Sequence, residues 1–84
     1  DQLRQREQEL NEVRARREQA GRAFELAQQE LNVTKPLERS GAVSEVELLR
    51  LERDVARLRG ERDQSSAQIS RIQSAIAEAT QKIQ

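Results

Sequence analysis

Apolar side chains recur every seven residues along most of this chain. From Leu3 to Thr34 they fill two positions of the repeat: Leu3, Leu10, Arg17, Phe24 and Leu31 at one, and Arg6, Val13, Ala20, Ala27 and Thr34 at the other. That spacing draws a narrow stripe down one side of a helix, the seam of a coiled coil. The pattern returns with Leu48, Val55, Arg62, Ile69, Ile76 and Ile83, alternating with Leu51, Leu58, Ser65, Ile72 and Ala79. This second seam is the stronger of the two.

Between the seams, the stretch from Thr34 to Glu47 reads as a hairpin tip. Pro36 lacks an amide proton and disfavours a helical Lys35, so the first helix either stops near Val33 or runs on, kinked, to Ser40. Gly41 can take the left-handed conformation that follows a helix end, and Arg39 sets a cation in the last turn, which favours the second alternative. Ser44 and Glu47 have the spacing of a capping box that opens a new helix, and Val43 can staple against Leu48. So short a connection makes the two helices antiparallel neighbours.

The two seams test each other. In an antiparallel pair, facing core residues have numbers that add to a constant, and here the constant is 82: Leu31 faces Leu51, Phe24 faces Leu58, Val13 faces Ile69 and Leu10 faces Ile72. Half of that is the number of Gly41, the residue the capping signals mark independently, and agreement between levels specifies a fold better than either alone. The predicted fold class is therefore all-α, a long antiparallel two-helix coiled-coil hairpin. Residues 1–84 form a single unit, read as a fragment of a larger protein. Its first helix covers about 2–40 with a kink near Pro36, its tip about 40–43, and its second helix about 44–84. At ~1.5 Å rise per residue each arm is roughly 55 Å long.

One band breaks the seam. Arg17, Arg62 and Ser65 sit at core positions near Gly21 and Gly60, so packing is expected to be weak there. This reads as a flexible waist, as a contact with a neighbouring chain, or as arginine stems snorkelling out of a thin seam. Glu12–Arg16 and Glu18–Arg22 are expected as supporting pairs four residues apart. Gln64 to Gln84 carries few charges, as a flank meeting another helix or as ordinary solvated surface.

Composition narrows the function classes. With 36% charged residues, 35% hydrophobic residues and Phe24 as the single aromatic, 84 residues cannot build a globular core of ordinary size. Fifteen basic and fifteen acidic residues, interspersed, give no field to draw nucleic acid or an anionic membrane. Without Cys or His there is no thiol chemistry and no set of the usual metal ligands, and no cofactor is expected. No apolar run approaches a bilayer span, so direct membrane insertion by this segment is not expected, and any anchor or export signal is expected outside it. Carboxylates are plentiful, but a thin seam offers no cleft to desolvate them, and Ser40 and Ser44 have no base beside them; the protein is not expected to be an enzyme. Asn32-Val33-Thr34 matches a glycosylation acceptor but falls within a predicted helix. What remains is binding or scaffolding. An RNA-binding helical arm is disfavoured, because one Phe and balanced charge give neither a stacking platform nor a phosphate stripe.

The run Thr34-Lys35-Pro36-Leu37 through Gly41-Ala42-Val43-Ser44-Glu45-Val46-Glu47-Leu48-Leu49-Arg50-Leu51-Glu52 resembles the hairpin tip of hemolysin-D-type membrane fusion proteins, the periplasmic adaptors of type I secretion. The likeness is specific over about twenty residues, and the flanking heptads are compatible with it. It implies a hairpin inserted in a lipoyl-like domain, several copies of which form a tube between an inner-membrane ABC transporter and a TolC-like outer-membrane channel. It further implies a periplasmic location, as part of an inner-membrane-anchored protein of a Gram-negative bacterium. Related adaptors carry a tip motif of Arg, Leu four residues later and Ser seven after that. Leu37 and Ser44 match its second and third positions, whereas the first falls on Val33, with Lys35 the nearest cation able to substitute. The expected partner-binding residues are Lys35, Leu37, Arg39, Gly41, Val43 and Ser44, and self-association is expected as well. The rival reading is a generic structural coiled-coil arm of a scaffold or chaperone.

Overall fold

The computed structural model describes residues 1–83. The expected helix end at Gln84 and the expected core position of the Ile83 side chain lie outside what is described. Two helices, α1 (Gln2–Arg39) and α2 (Glu45–Ile83), lie antiparallel in a rod measuring 65 × 14 × 14 Å.

Each helix end follows from local chemistry. Asp1 caps α1: its Oδ1 accepts from the Arg4 amide at 2.8 Å. α1 runs through Pro36, the proline being tolerated inside the last turns at the loss of the bond that its nitrogen would give to the Asn32 carbonyl. At the other end Ser40 is the C-cap and Gly41 turns left-handed, with φ +80°. The Gly41 amide donates to the Glu38 carbonyl at 3.0 Å and the Ala42 amide to the Leu37 carbonyl at 3.2 Å. This pair of bonds is a Schellman motif, which satisfies carbonyls that a helix end otherwise leaves open. Four residues past Gly41 the chain is helical again. The Ser44 hydroxyl oxygen accepts from the Glu47 amide at 3.1 Å. The return bond from the Ser44 amide to the Glu47 carboxylate is not made among the described residues, so the expected capping box is half formed.

The seam is the one the numbering predicts. Leu10, Val13 and Ile72 are buried together, with Ile69 and Ile76 packed against them. Among the described side chains, every seam residue is at least half-buried except Arg6 and Arg17. Long stems with terminal charge explain both exceptions, since they leave a seam only one side chain deep at small cost.

The band expected to pack weakly is filled in part, with Arg17 exposed and a recess beside Ala20 and Ser65 lined also by Arg16, Glu61, Gln64 and Gln68. Ala20, Gly21 and Ser65 are buried there, Ser65 to 4% exposure. The guanidinium carbons of Arg62 and Arg59 stand 4.6 and 5.4 Å from the centre of the Phe24 ring. Arg17 donates from Nε to the Ser66 hydroxyl at 3.1 Å. Arginine planes over an aromatic face thus fill space that aliphatic residues fill elsewhere, each contact worth about 0.5–1 kcal/mol when partly exposed. Of the two expected supporting pairs, Glu18–Arg22 forms at 2.8 Å, whereas Glu12–Arg16 is not closed among the described residues. Arg57 bridges Asp54 at 3.7 Å and Glu61 at 3.1 Å on the other helix. All these pairs are exposed, and each contributes only a few tenths of a kcal/mol, ~0.3–0.5.

Candidate functional site

The tip gathers the six residues singled out from the sequence at one end of the rod. Lys35 and Arg39, one helical turn apart, line a shallow recess with Asn32, Pro36, Glu38 and Leu48. Val43 is half-buried in a second recess, beside Glu30, Thr34, Glu47, Arg50 and Leu51. Val43 and Leu48, the expected staple, therefore line different recesses of the tip. Leu37 belongs to neither recess and is 47% exposed. Gly41 forms the exposed crest, with nothing within 4 Å of where a Cβ would stand.

Electrostatically the tip is mixed. The ion pairs among the described residues are Glu18–Arg22, Arg57 with Asp54 and Glu61, and Arg62–Asp63, so Lys35 and Arg39 remain free to meet a partner's carboxylates or carbonyls. Ser44 uses its oxygen as an acceptor in the cap, which leaves its hydroxyl proton available outward. Ser40 cannot do the same, because its hydroxyl donates to the Leu37 carbonyl at 2.8 Å. The tip thus presents an apolar side chain, two cations and one hydroxyl donor around a glycine crest. That assortment suits adhesion to a protein surface; it holds no base beside a nucleophile.

At the far end, Asp1, Gln2 and Leu3 meet Ala79 and Lys82 around a common recess, so the start of α1 stands beside the last turns of α2. Among the described residues, no helix is long and apolar enough to cross a membrane.

Two features escaped the sequence reading. The Asp1 cap was available from the residue type alone, an Asp immediately before a helix. The second is a group of apolar side chains outside the seam: Leu26, Val33, Val46 and Leu49, which with Leu37 are 47–69% exposed. Their signal was the seven-residue step from Leu26 to Val33, two positions after the seam residues Phe24 and Leu31.

Compared with known proteins, no curated sequence and no solved structure matches the chain. A family model described as AprE, long alpha-helical hairpin, matches residues 1–84. That match spans every residue from the Asp1 cap through the glycine crest to the end of the second arm, in accord with the hairpin geometry and with the likeness of the tip. The chain belongs to the family of the long α-helical hairpin of AprE, a type I secretion membrane fusion protein.

Proposed function

We propose that this hairpin is the periplasmic projecting arm of a type I secretion adaptor and docks by its tip on a TolC-like outer-membrane channel. An inner-membrane ABC transporter is engaged through parts of the protein outside these residues, which also supply the inner-membrane anchor. Lys35, Leu37, Arg39, Gly41, Val43 and Ser44 form the docking surface, and the arm binds and spans without turnover.

The observation that carries this reading is geometric. Asp1 at the start of α1 and Lys82 in the last turn of α2 lie together at one end of a 65 Å rod, while the exposed Leu37 and the free cations Lys35 and Arg39 lie at the other. A rod inserted in another domain at its open end reaches outward by its full length. The test is Leu37→Glu and Ser44→Arg in the full-length protein, with secretion and channel co-purification measured. Both are expected to fall at least about tenfold, the consequence of ~1.4 kcal/mol lost at a docking hot spot. Unchanged export by both variants points to a structural arm whose tip meets nothing.

A further inference from the structure

A long arginine side chain loses rotamer freedom when it is held in one orientation, and at a protein surface the group that holds it is commonly an acid. Among the described residues three arginines fit that description. Arg22 is held by Glu18, Arg57 by Asp54 and Glu61, and Arg62 by Asp63. Two others, both in the midsection, are held by uncharged groups. Arg17 donates from Nε to the Ser66 hydroxyl at 3.1 Å, and its Nη1 lies 3.4 Å from where a Cβ on Gly21 would stand. The guanidinium carbon of Arg59 stands 5.4 Å from the centre of the Phe24 ring. Both side chains are exposed, and neither belongs to an ion pair among the described residues.

These two guanidinium groups share one side of the rod. Arg59, Arg62 and Ser66 follow one another along α2 in steps of three and four, and Arg17, Gly21 and Phe24 do so along α1 in steps of four and three. At ~1.5 Å per residue, the heptad from Arg59 to Ser66 sets the two fixed cations roughly 10 Å apart along the rod. Asp63, the acid between them, is already engaged by Arg62 through Nε at 3.0 Å and Nη2 at 2.9 Å. Arg62 is half-buried and lies closer to the ring centre, at 4.6 Å, so Phe24 is covered without Arg59. What remains is a pair of oriented, uncompensated charges. A guanidinium fixed in advance presents its remaining N–H groups to a carboxylate without first being ordered, so binding there forfeits less entropy than at a free arginine.

We propose that the midsection is a second interaction surface, at which Arg17 and Arg59 receive two carboxylates from an acidic helix of a protein partner lying along the rod. Seven residues of such a helix span the same roughly 10 Å, so acids one heptad apart meet both cations at once. A membrane or a nucleic acid fits less well. Either presents a continuous array of phosphates, which the acidic residues interspersed along both arms repel on each side of the patch. The surface is separate from the tip: in the mirror numbering Arg59 stands level with residue 23, twelve residues from Lys35 or roughly 18 Å along the rod.

The experiment is fluorescence anisotropy, with the full-length protein in lipid nanodiscs and labelled, alanine-rich helical peptides as probes. One peptide carries two glutamates seven residues apart, a second carries them three apart, and a third has glutamine at both places. The first is expected to bind at least about threefold more tightly than the second, to weaken as salt is added, and to lose to the third no share of the sites. Arg17→Gln and Arg59→Gln are each expected to weaken the first peptide about two- to fivefold, the range of one exposed ion pair. Arg22→Gln and Arg57→Gln, which remove arginines already paired, are expected to leave its affinity unchanged. All four arginines are exposed, so none of these variants empties the seam. Equal losses in all four overturn the proposal, since they indicate general charge attraction. Equal affinity of the first two peptides overturns it as well, as does unchanged binding in both Arg17→Gln and Arg59→Gln. Phosphatidylglycerol vesicles are the last probe: capture of the protein by them, lost in the same two variants, assigns the patch to a membrane and overturns the choice of a protein partner. Leu37→Glu at the tip leaves peptide binding intact, so this surface and the docking tip fail or stand separately.

Discussion

Single residues decide where this chain turns, and glycine does so in one place only. Gly41 holds φ +80° and has open space around it, so its constraint is backbone conformation rather than crowding. Gly41→Ala is expected to destabilise the hairpin by about 1–2 kcal/mol, the cost of forcing an L-residue left-handed, and Gly41→Asn by less. Gly60 is the opposite case. It lies inside α2, exposed, with nothing within 4 Å, so Gly60→Ala is expected to stabilise by roughly 0.5–1 kcal/mol through helix propensity. Urea denaturation of the two variants checks the signs; a Gly41→Ala protein as stable as the parent would mean that the turn does not depend on the left-handed residue. Gly41 was recognisable beforehand from its place between Arg39 and Ser44. The half-formed box at Ser44 was not, since whether the Glu47 carboxylate folds back or stays hydrated depends on a balance of a few tenths of a kcal/mol that residue type does not encode.

At the level of the helices, stability comes from a seam one side chain deep. Removing Ile72, which is buried against Leu10 and Val13, is expected to cost about 2–4 kcal/mol as Ile72→Ala, read as a drop in thermal midpoint. The midsection is held by different means, and there a double-mutant cycle is the sharper tool. Phe24→Leu with Arg62→Gln is expected to show a coupling of about 0.5–1 kcal/mol, against near zero if the guanidinium only lies nearby. The arms and their pairing were legible because a seven-residue repeat fixes which faces meet, and the mirror constant then fixes which residues meet. The midsection was legible only in part: Arg17 leaves the seam, one of the three readings its position allowed, but the repeat does not say what an arginine at a core position covers, and Arg62 lies over the Phe24 face while Arg17 reaches Ser66. The apolar side chains outside the seam were overlooked for a related reason. Leu26, Val33, Val46 and Leu49 add nothing to the intramolecular seam, so a search for the fold of one chain passes over them.

For the molecule as a whole, length and register are independent variables, and they can be changed separately. Removing residues 14–20 together with 62–68 takes one heptad from each arm at the same height. Because the deleted numbers mirror each other about Gly41, every remaining core pair keeps its partner. The rod is expected to stay helical and to shorten by about 10 Å, seven residues at ~1.5 Å each, as small-angle scattering of the full-length protein would register. Removing residues 14–20 alone deletes the same length from one arm. Above the cut the pairing survives, but below it Leu3, Leu10 and Val13 slide by seven positions along α2, and the cluster with Ile72 is replaced by a mismatched overhang. That variant is expected to lose far more stability than the matched one, by at least the ~2–4 kcal/mol of a dismantled core contact. Secretion then separates folding from reach. A bridging arm fails in both variants, whereas an arm needed only for its fold fails in the unmatched one alone. A matched, folded, shortened hairpin that still exports at the parental rate would show that the distance from open end to tip is not what this rod contributes.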